Sequence, residues 1–349
     1  MTAVSRPHPK ITPQGVQKPA PGLRVLMVTS EWPEPGVPAT TNFIKRQAEF
    51  LRAAGVDVDV FVFRGSRNPY NYAAAWARLR PRLNTGRYDL VHAQFGQSGL
   101  LALPKRLPLV VTFRGSDLLG IVADRNGRYT VVGRVLQQAS RFVARHANAV
   151  ILVSDHMRES IRTTAPVHII PSGLDFERFR YTPRDEARRQ LGMDPAEKLV
   201  LFVGRQHQAR KRYGLAKEAV DRLNERMPAR LVVGWGVPHE EIPLYMSACD
   251  SLIVTSMQEG SPNVVKEALA CDLPVVSVAV GDVRDRLQNV EGCEVCADER
   301  PETIAAALER VLLRGKRVAG RPAVQHLDER LLTERVIEIY RSVLPRPKV

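Results

Sequence analysis

Two carboxylates that flank a helix start carry most of the chemistry in this sequence. Glu259 and Glu267 lie in the run Ser256-Met-Gln-Glu-Gly-Ser-Pro-Asn-Val-Val-Lys-Glu267, which follows an apolar stretch and opens a helical one. Gly260 permits a tight turn, Ser261 can cap a helix, and Pro262 suits its first position. The first amides of such a helix, at Asn263 and Val264, lack partners within it. That end carries partial positive charge and favours phosphate. Glu267 lies about 7 Å further along the axis at ~1.5 Å per residue. A nucleotide-diphosphate sugar has hydroxyls on both sides of its diphosphate, so one carboxylate could accept from the sugar and the other from the ribose. Spacing alone fits an ordinary capped helix with an exposed Glu equally well.

A second basic cluster precedes this stretch. Phe202-Val-Gly-Arg205 is followed by Arg210 and Lys211. Arginine offers a bidentate fork and lysine a point charge, both suited to a leaving diphosphate. No Asp-x-Asp accompanies the anion site, so neither a metal nor another cofactor is expected. Cys293 and Cys296 form a lone pair at CxxC spacing, short of the four ligands a structural zinc needs. His92 ends an apolar run, where a core histidine and an acceptor contact are both open readings.

The elements that must position these groups follow from the pattern of apolar runs. The chain has 349 residues, 44% hydrophobic and 25% charged, enough for two α/β domains. Residues 1–22 hold five prolines and read as a disordered tail. Short β-rich runs then alternate with helical segments. The expected strands are 23–29, 57–63, 89–95, 109–113, 149–154 and 167–170, with helices at 42–54 and 130–147 among them. After a polar stretch at 176–194 the alternation restarts. Strands are expected at 198–204, 230–234, 251–255 and 273–280, with helices at 213–226, 262–270 and 301–313. An amphipathic helix at 326–344 closes the chain. Strand–helix alternation predicts parallel sheets covered on both faces, with ligands beyond the strands' carboxyl ends. The expected fold is α/β, two Rossmann-like doubly wound domains at 23–165 and 166–325 facing a cleft. The final segment, 326–349, is expected to return to the first domain.

The Glu259–Glu267 stretch resembles the E-x7-E motif of family-4 retaining glycosyltransferases of GT-B fold. The run from Val237-Pro-His-Glu-Glu through Gly281-Asp-Val-Arg is similar to a branch that includes teichuronic-acid biosynthesis enzymes. The resemblance extends over residues 23–344. It implies transfer of a hexose-type sugar from a nucleotide-diphosphate donor, UDP-linked, with retention at the anomeric carbon. It implies a Gly-Arg…Lys phosphate clamp at Gly204, Arg205 and Lys211, with Arg210 a competitor because the spacing is one residue longer than usual. Glu259 would orient the sugar and Glu267 would hold the ribose. The segment Ile170-Pro-Ser-Gly-Leu-Asp175 is similar to the family's interdomain crossing, where Gly173 would approach the donor. The sequence also departs from the family. Thr112-Phe-Arg-Gly-Ser-Asp117 places Arg114 where the family often has His; an Arg there could contact an anionic acceptor or the donor sugar, and Arg114, Asp117 and His92 are candidates for the acceptor side or the cleft of the first domain. The loop after the first strand has only Gly36 where a glycine pair is usual. The second domain is short around 234–240.

Charge is unevenly divided. Residues 1–165 hold 23 Lys and Arg against 10 Asp and Glu, whereas residues 166–349 hold 28 against 27. Arg134, Arg141 and Arg145 share a helix face, and Arg78, Arg80 and Arg82 cluster on another segment. Such faces are either simply solvated or meet an anionic membrane. The expected partners are a nucleotide sugar, a glycan or lipid-linked acceptor, and an anionic membrane surface. No DNA- or RNA-binding motif accompanies the charge, so nucleic acid is not expected. No apolar run reaches the ~20 residues of a membrane span, and no secretory leader is read. The expected location is cytoplasmic, at the inner face of the membrane. The alternative activity is a sugar-nucleotide epimerase of similar architecture.

Overall fold

The computed structural model describes residues 22–33, 42–65, 68–124 and 127–345. The proline-rich tail at 1–21, Gly36 and its loop lie outside the described residues.

Eleven strands are seen among the described residues. β1 to β6 are Arg24–Thr29, Asp57–Val62, Leu90–Gln94, Leu109–Phe113, Ala149–Leu152 and Val167–Ile169. They form one parallel sheet in the order β2-β1-β3-β4-β5-β6. β7 to β11 are Leu199–Phe202, Arg230–Val233, Ser251–Val254, Val275–Ser277 and Glu294–Val295. They form a second parallel sheet in the order β11-β10-β9-β7-β8. β1, β3, β4, β5, β7, β9 and β10 are almost wholly buried and rich in Val, Leu and Ile, as a sheet covered on both faces requires.

The domain boundary differs from a break at 165/166. β6 pairs with β5, Val150 opposite Val167, so the first domain runs past Ile169. The polar stretch at 176–194 contains a helix, Arg184–Leu191, whose apolar content is too low for a periodic signal. Its Arg188 is buried and ion-paired to Asp250 at 2.9 Å.

The last helix, Glu329–Val343, packs on the helix Asn42–Ala53 of the first domain. Arg46 donates to Glu329 at 2.9 Å in a buried ion pair, and Arg46 also donates to the carbonyl of Gly173 at 2.6 Å. One hydrophobic cluster therefore runs from Val25 and Met27, through Tyr340 and Ile337, to Leu199 and Val265 of the second domain. A second cluster fills the opposite face of the first sheet. Two sheets joined by a continuous core and a buried ion pair hold the walls of the cleft in register.

Candidate active site

The cleft between the two sheets encloses a cavity of about 630 Å³, within the size range of small-ligand sites. The C-terminal wall is built around the end of β9. The chain leaves that strand at Thr255, turns at Gly260 and enters the helix Asn263–Ala270 with its N-terminus facing the cavity. Pro262 occupies the cap position and Asn263 the first helical one. Ser261 does not cap; its hydroxyl donates to Asp282 at 2.8 Å, and Arg286 holds the same carboxylate oxygen at 3.0 Å.

Gly260 has no room for a side chain. A Cβ there would lie 2.6 Å from the backbone oxygen of Arg114 and 2.9 Å from Val153, both in the first domain. The turn that carries Glu259 is thus pressed directly against the opposite wall. Gln258 adds a bond across the cleft to the carbonyl of Leu119 at 3.0 Å.

Glu259 is gripped by two cations. Lys211 donates to Oε1 at 2.7 Å and Arg210 pairs with Oε2 at 2.6 Å. Burial works to raise this carboxyl, but Lys211 and Arg210 outweigh it and hold the group at about 2. Both residues line the cavity, so the longer Gly-Arg…Lys spacing places two cations rather than one beside the carboxylate. Arg205 also lines the cavity, its guanidinium 4.6 Å from the centroid of the Trp235 ring. Glu267 is buried, with His239 at 3.6 Å. Burial again opposes ionisation, and the contact and charge of His239, then the charges of Arg46 and Lys266, hold its carboxyl below the usual range. Asn263 Oδ1, Arg205 Nε and Gln258 Oε1 are buried without a hydrogen-bond partner in the protein. Unpaired donors and acceptors around one cavity suit a polar ligand.

The N-terminal wall is organised differently. Arg114 crosses the cavity floor and donates to Gln94 from Nε and Nη2 at 3.0 and 2.6 Å. It also donates to Gln47 from Nη2 at 3.1 Å and to Ser172 from Nη1 at 2.9 Å. It stacks over Phe43 at 4.7 Å. Burial lowers its pKa to about 10, against the nearby Glu329, Asp117 and Glu31.

Three residues read from the sequence as cleft groups stand elsewhere. His92 is enclosed, with Nδ1 at 2.6 Å from the Tyr340 hydroxyl and Nε2 at 2.7 Å from Thr112. Burial and the Arg114 charge push its pKa down to about 3, so the neutral ring braces the sheet against the last helix. Asp117 is also buried. Its carboxylate accepts from the amides of Gly96, Arg114 and Gly115 at 3.0, 3.1 and 2.9 Å, which fixes the loop after β4. Gly173 faces the last helix rather than the cavity: a Cβ there would sit 2.8 Å from Glu329.

Sequence reasoning missed Trp235 and His239 as cavity residues: a lone Trp between Gly234 and Gly236 gives no periodic signal, and Val237-Pro-His-Glu-Glu carries a family resemblance without a role for its histidine. Among the described residues no group of three or more His, Cys, Asp or Glu side chains could hold a metal ion. The Cys293 and Cys296 thiols are pushed up to about 11 by burial.

Two facing parallel α/β domains with the cavity between them are the GT-B fold. Two family models match the chain: "Glycosyltransferase Family 4" over residues 22–178 and "Glycosyl transferases group 1" over residues 232–314. The chain belongs to the family-4 glycosyltransferases. It is 30% identical over 288 residues to a D-inositol 3-phosphate glycosyltransferase of Actinosynnema mirum, covering 69% of this chain and 68% of the relative. It is 27% identical over 220 residues to the Bacillus subtilis protein TuaC, named for teichuronic acid biosynthesis, covering 56% and 54%. The match therefore spans about half the length of that relative. The sucrose-phosphate synthase of Thermosynechococcus elongatus shares the fold with a TM-score of 0.77 at 18% identity, over 92% of this chain and 98% of the other. Anabaena HepE, solved in complex with UDP, superposes with a TM-score of 0.65 at 17% identity, over 92% and 100%.

Proposed function

We propose that the chain transfers a hexose-type sugar from a UDP-linked donor to a glycan or lipid-linked acceptor in cell-surface polysaccharide or glycolipid biosynthesis. Transfer proceeds with retention, without a metal, at the cytoplasmic face of the membrane. The observation that carries this reading is the ionised Glu259 between Lys211 and Arg210, beside the N-terminus of the helix Asn263–Ala270. A carboxylate that stays charged in an enclosed cleft can accept hydrogen bonds from sugar hydroxyls. The two cations and the helix amides supply charge for a diphosphate. That UDP occupies HepE, a protein of the same fold, supports the choice of donor class.

In the proposed reaction the acceptor hydroxyl attacks the anomeric carbon on the face the diphosphate leaves. The sugar–phosphate bond breaks, and a diphosphate oxygen takes the hydroxyl proton. Lys211, Arg210 and Arg205 stabilise the charge that develops on the leaving group. Glu259 orients the sugar through its hydroxyls, and Glu267 holds the ribose. Gly204, Gly260, Ser261, Pro262, Asn263 and Val264 shape the donor side. Arg114 borders the acceptor side.

A donor panel in which UDP release is followed with and without acceptor tests the reading. Release that depends on acceptor is expected; conversion of the donor without any acceptor would point to an epimerase instead. Activity should survive EDTA undiminished, because cationic side chains supply the charge a divalent ion supplies elsewhere. Full loss in EDTA with recovery on adding Mn²⁺ would contradict a metal-independent mechanism.

A further inference from the structure

The outer surface of the first domain, away from the last helix, is built by three consecutive segments. The helices Pro69–Leu83 and Val131–His146 lie on the same face of the first sheet, their inner residues Leu79, Leu83, Val143 and Ala144 sharing one core. Residues 96–107 fill the space between them. Trp76 donates to the carbonyl of Leu103 at 2.8 Å, and Arg80 donates to those of Leu101 and Pro104 at 2.5 and 2.9 Å. On the other side Gly99 packs so closely on Val143 that a Cβ would lie 2.4 Å from it. The three segments are one continuous surface.

Neither helix nor the 96–107 segment contains a single Asp or Glu, while together they carry eight Lys and Arg. Arg106 lies near enough to Arg80 to add to the burial that lowers its pKa. The outward face of Val131–His146 is also apolar. Val131 is 78% exposed, Val135 62% and Phe142 48%. At 100° per residue these three fall within a 40° stripe, with Arg134, Arg141 and Arg145 along one flank. An apolar stripe edged by arginines, on a helix without an acid, is how an interfacial helix sits at the headgroup level of a bilayer. A second copy of the chain does not suit this face, because the same surface would meet its own charge. Nucleic acid would leave Val131, Val135 and Phe142 without a partner.

The stripe begins at the mouth of the cleft. Ile121 and Val122 line the cavity, and Val122 bridges to Tyr129, two residues before Val131. Gln137 of the helix holds the carbonyl of Leu119 at 2.8 Å.

We propose that the arginine-edged face of the first domain, centred on Val131, Val135 and Phe142, docks on an anionic bilayer and sets the cleft mouth at its surface, although Glu159 lies beside Arg141 and Arg145 on its flank. This rests on the proposed transferase reading only in that a lipid-linked acceptor would then enter from the bilayer side; the docking itself does not.

The test is flotation of the full chain with phosphatidylcholine vesicles containing 0 or about a third phosphatidylserine, at low and high salt. Recovery is expected with the anionic vesicles and is expected to fall as salt rises. A V131S/V135S/F142S triple variant should lose about tenfold or more of the vesicle affinity. R134Q/R145Q should weaken binding to anionic vesicles alone. Both variants should keep the wild-type thermal midpoint and the wild-type calorimetric affinity for UDP, since none of the five residues touches the cavity. Equal recovery from neutral and anionic vesicles, or a triple variant that binds vesicles as wild type does, overturns the proposal, as does binding of DNA in preference to vesicles. Vesicle binding as expected in a chain that binds no nucleotide would leave this docking standing and remove the proposed function instead.

Discussion

On the C-terminal wall of the cleft, carboxylates sit directly against cations: Glu259 against Lys211 and Arg210, Glu267 near His239. On the N-terminal wall the principal charge, Arg114, is held by two glutamines and a serine and, among the described residues, touches no carboxylate within ion-pair distance. The first wall offers ionised groups that a polar ligand can engage by exchanging partners. The second offers a fixed cation on a neutral scaffold, which shapes a space more than it competes for one. The contrast suits a donor bound tightly by the C-terminal wall and an acceptor admitted loosely along the N-terminal one.

That contrast depends on the two walls being fixed relative to each other, so the largest expected effect lies in what joins them. Arg46 and Glu329 form a buried pair, and removing one partner strands the other. Arg46→Ala should cost about 3–5 kcal/mol in urea denaturation, and it should weaken nucleotide binding because the last helix loosens. A loss below about 1 kcal/mol would mean the walls are held by the apolar core alone.

A smaller effect is expected where the walls touch. Gly260→Ala forces a Cβ to within 2.6 Å of a backbone oxygen of the opposite wall, which cannot swing away as a side chain could. Overpacking of this kind costs about 1–3 kcal/mol. Activity should fall further than stability, because the displaced turn carries Glu259. A fully active alanine variant would show that the walls separate freely in the working enzyme.

The last effect, read as a change with pH rather than as a loss, concerns a charge buried behind the C-terminal wall. Lys266 is 1% exposed and donates to the Ser172 carbonyl at 3.0 Å. Burial lowers its pKa from 10.5 to about 7, against the pull of Asp282. Below about pH 7 the folded chain carries this ammonium at a cost to stability. Between about 7 and 10.5 the unfolded chain binds the proton that the folded chain has lost, so stability rises with pH. Lys266→Met lacks this slope. Denaturation at pH 6, 8 and 10 should show wild type gaining on the variant as pH rises; parallel profiles would place the lysine in a better-solvated setting.

The fold was largely legible in the sequence because parallel sheets covered on both faces leave continuous apolar runs. The strands at 109–113 and 251–254 were readable to within a residue for that reason. The helix Arg184–Leu191 was not, since Arg188 is buried through an ion pair rather than through apolar burial. The site divided the same way. Glu259 and Glu267 share one strand-to-helix stretch and Lys211 follows β7 closely, each a local pattern that a motif can describe. The fates of His92 and Asp117 depended on Tyr340 and on the amides of Gly96 and Gly115, contacts that local spacing does not reveal. Trp235 and His239 enter the cleft from a loop whose shortness was visible but whose direction was not.

The central claim is the division of labour between the two carboxylates of the C-terminal wall, and calorimetry with two ligands on two variants tests it most directly. Each hydrogen bond to a charged group contributes about 1.5–3 kcal/mol. Glu267→Ala should therefore weaken both UDP and the full UDP-sugar by about one to two orders of magnitude. Glu259→Ala should weaken only the full donor and leave UDP nearly unaffected. If Glu267→Ala binds UDP normally while Glu259→Ala does not, the two roles are reversed. If neither change matters to either ligand, the start of the helix Asn263–Ala270 is not the donor site and the account fails.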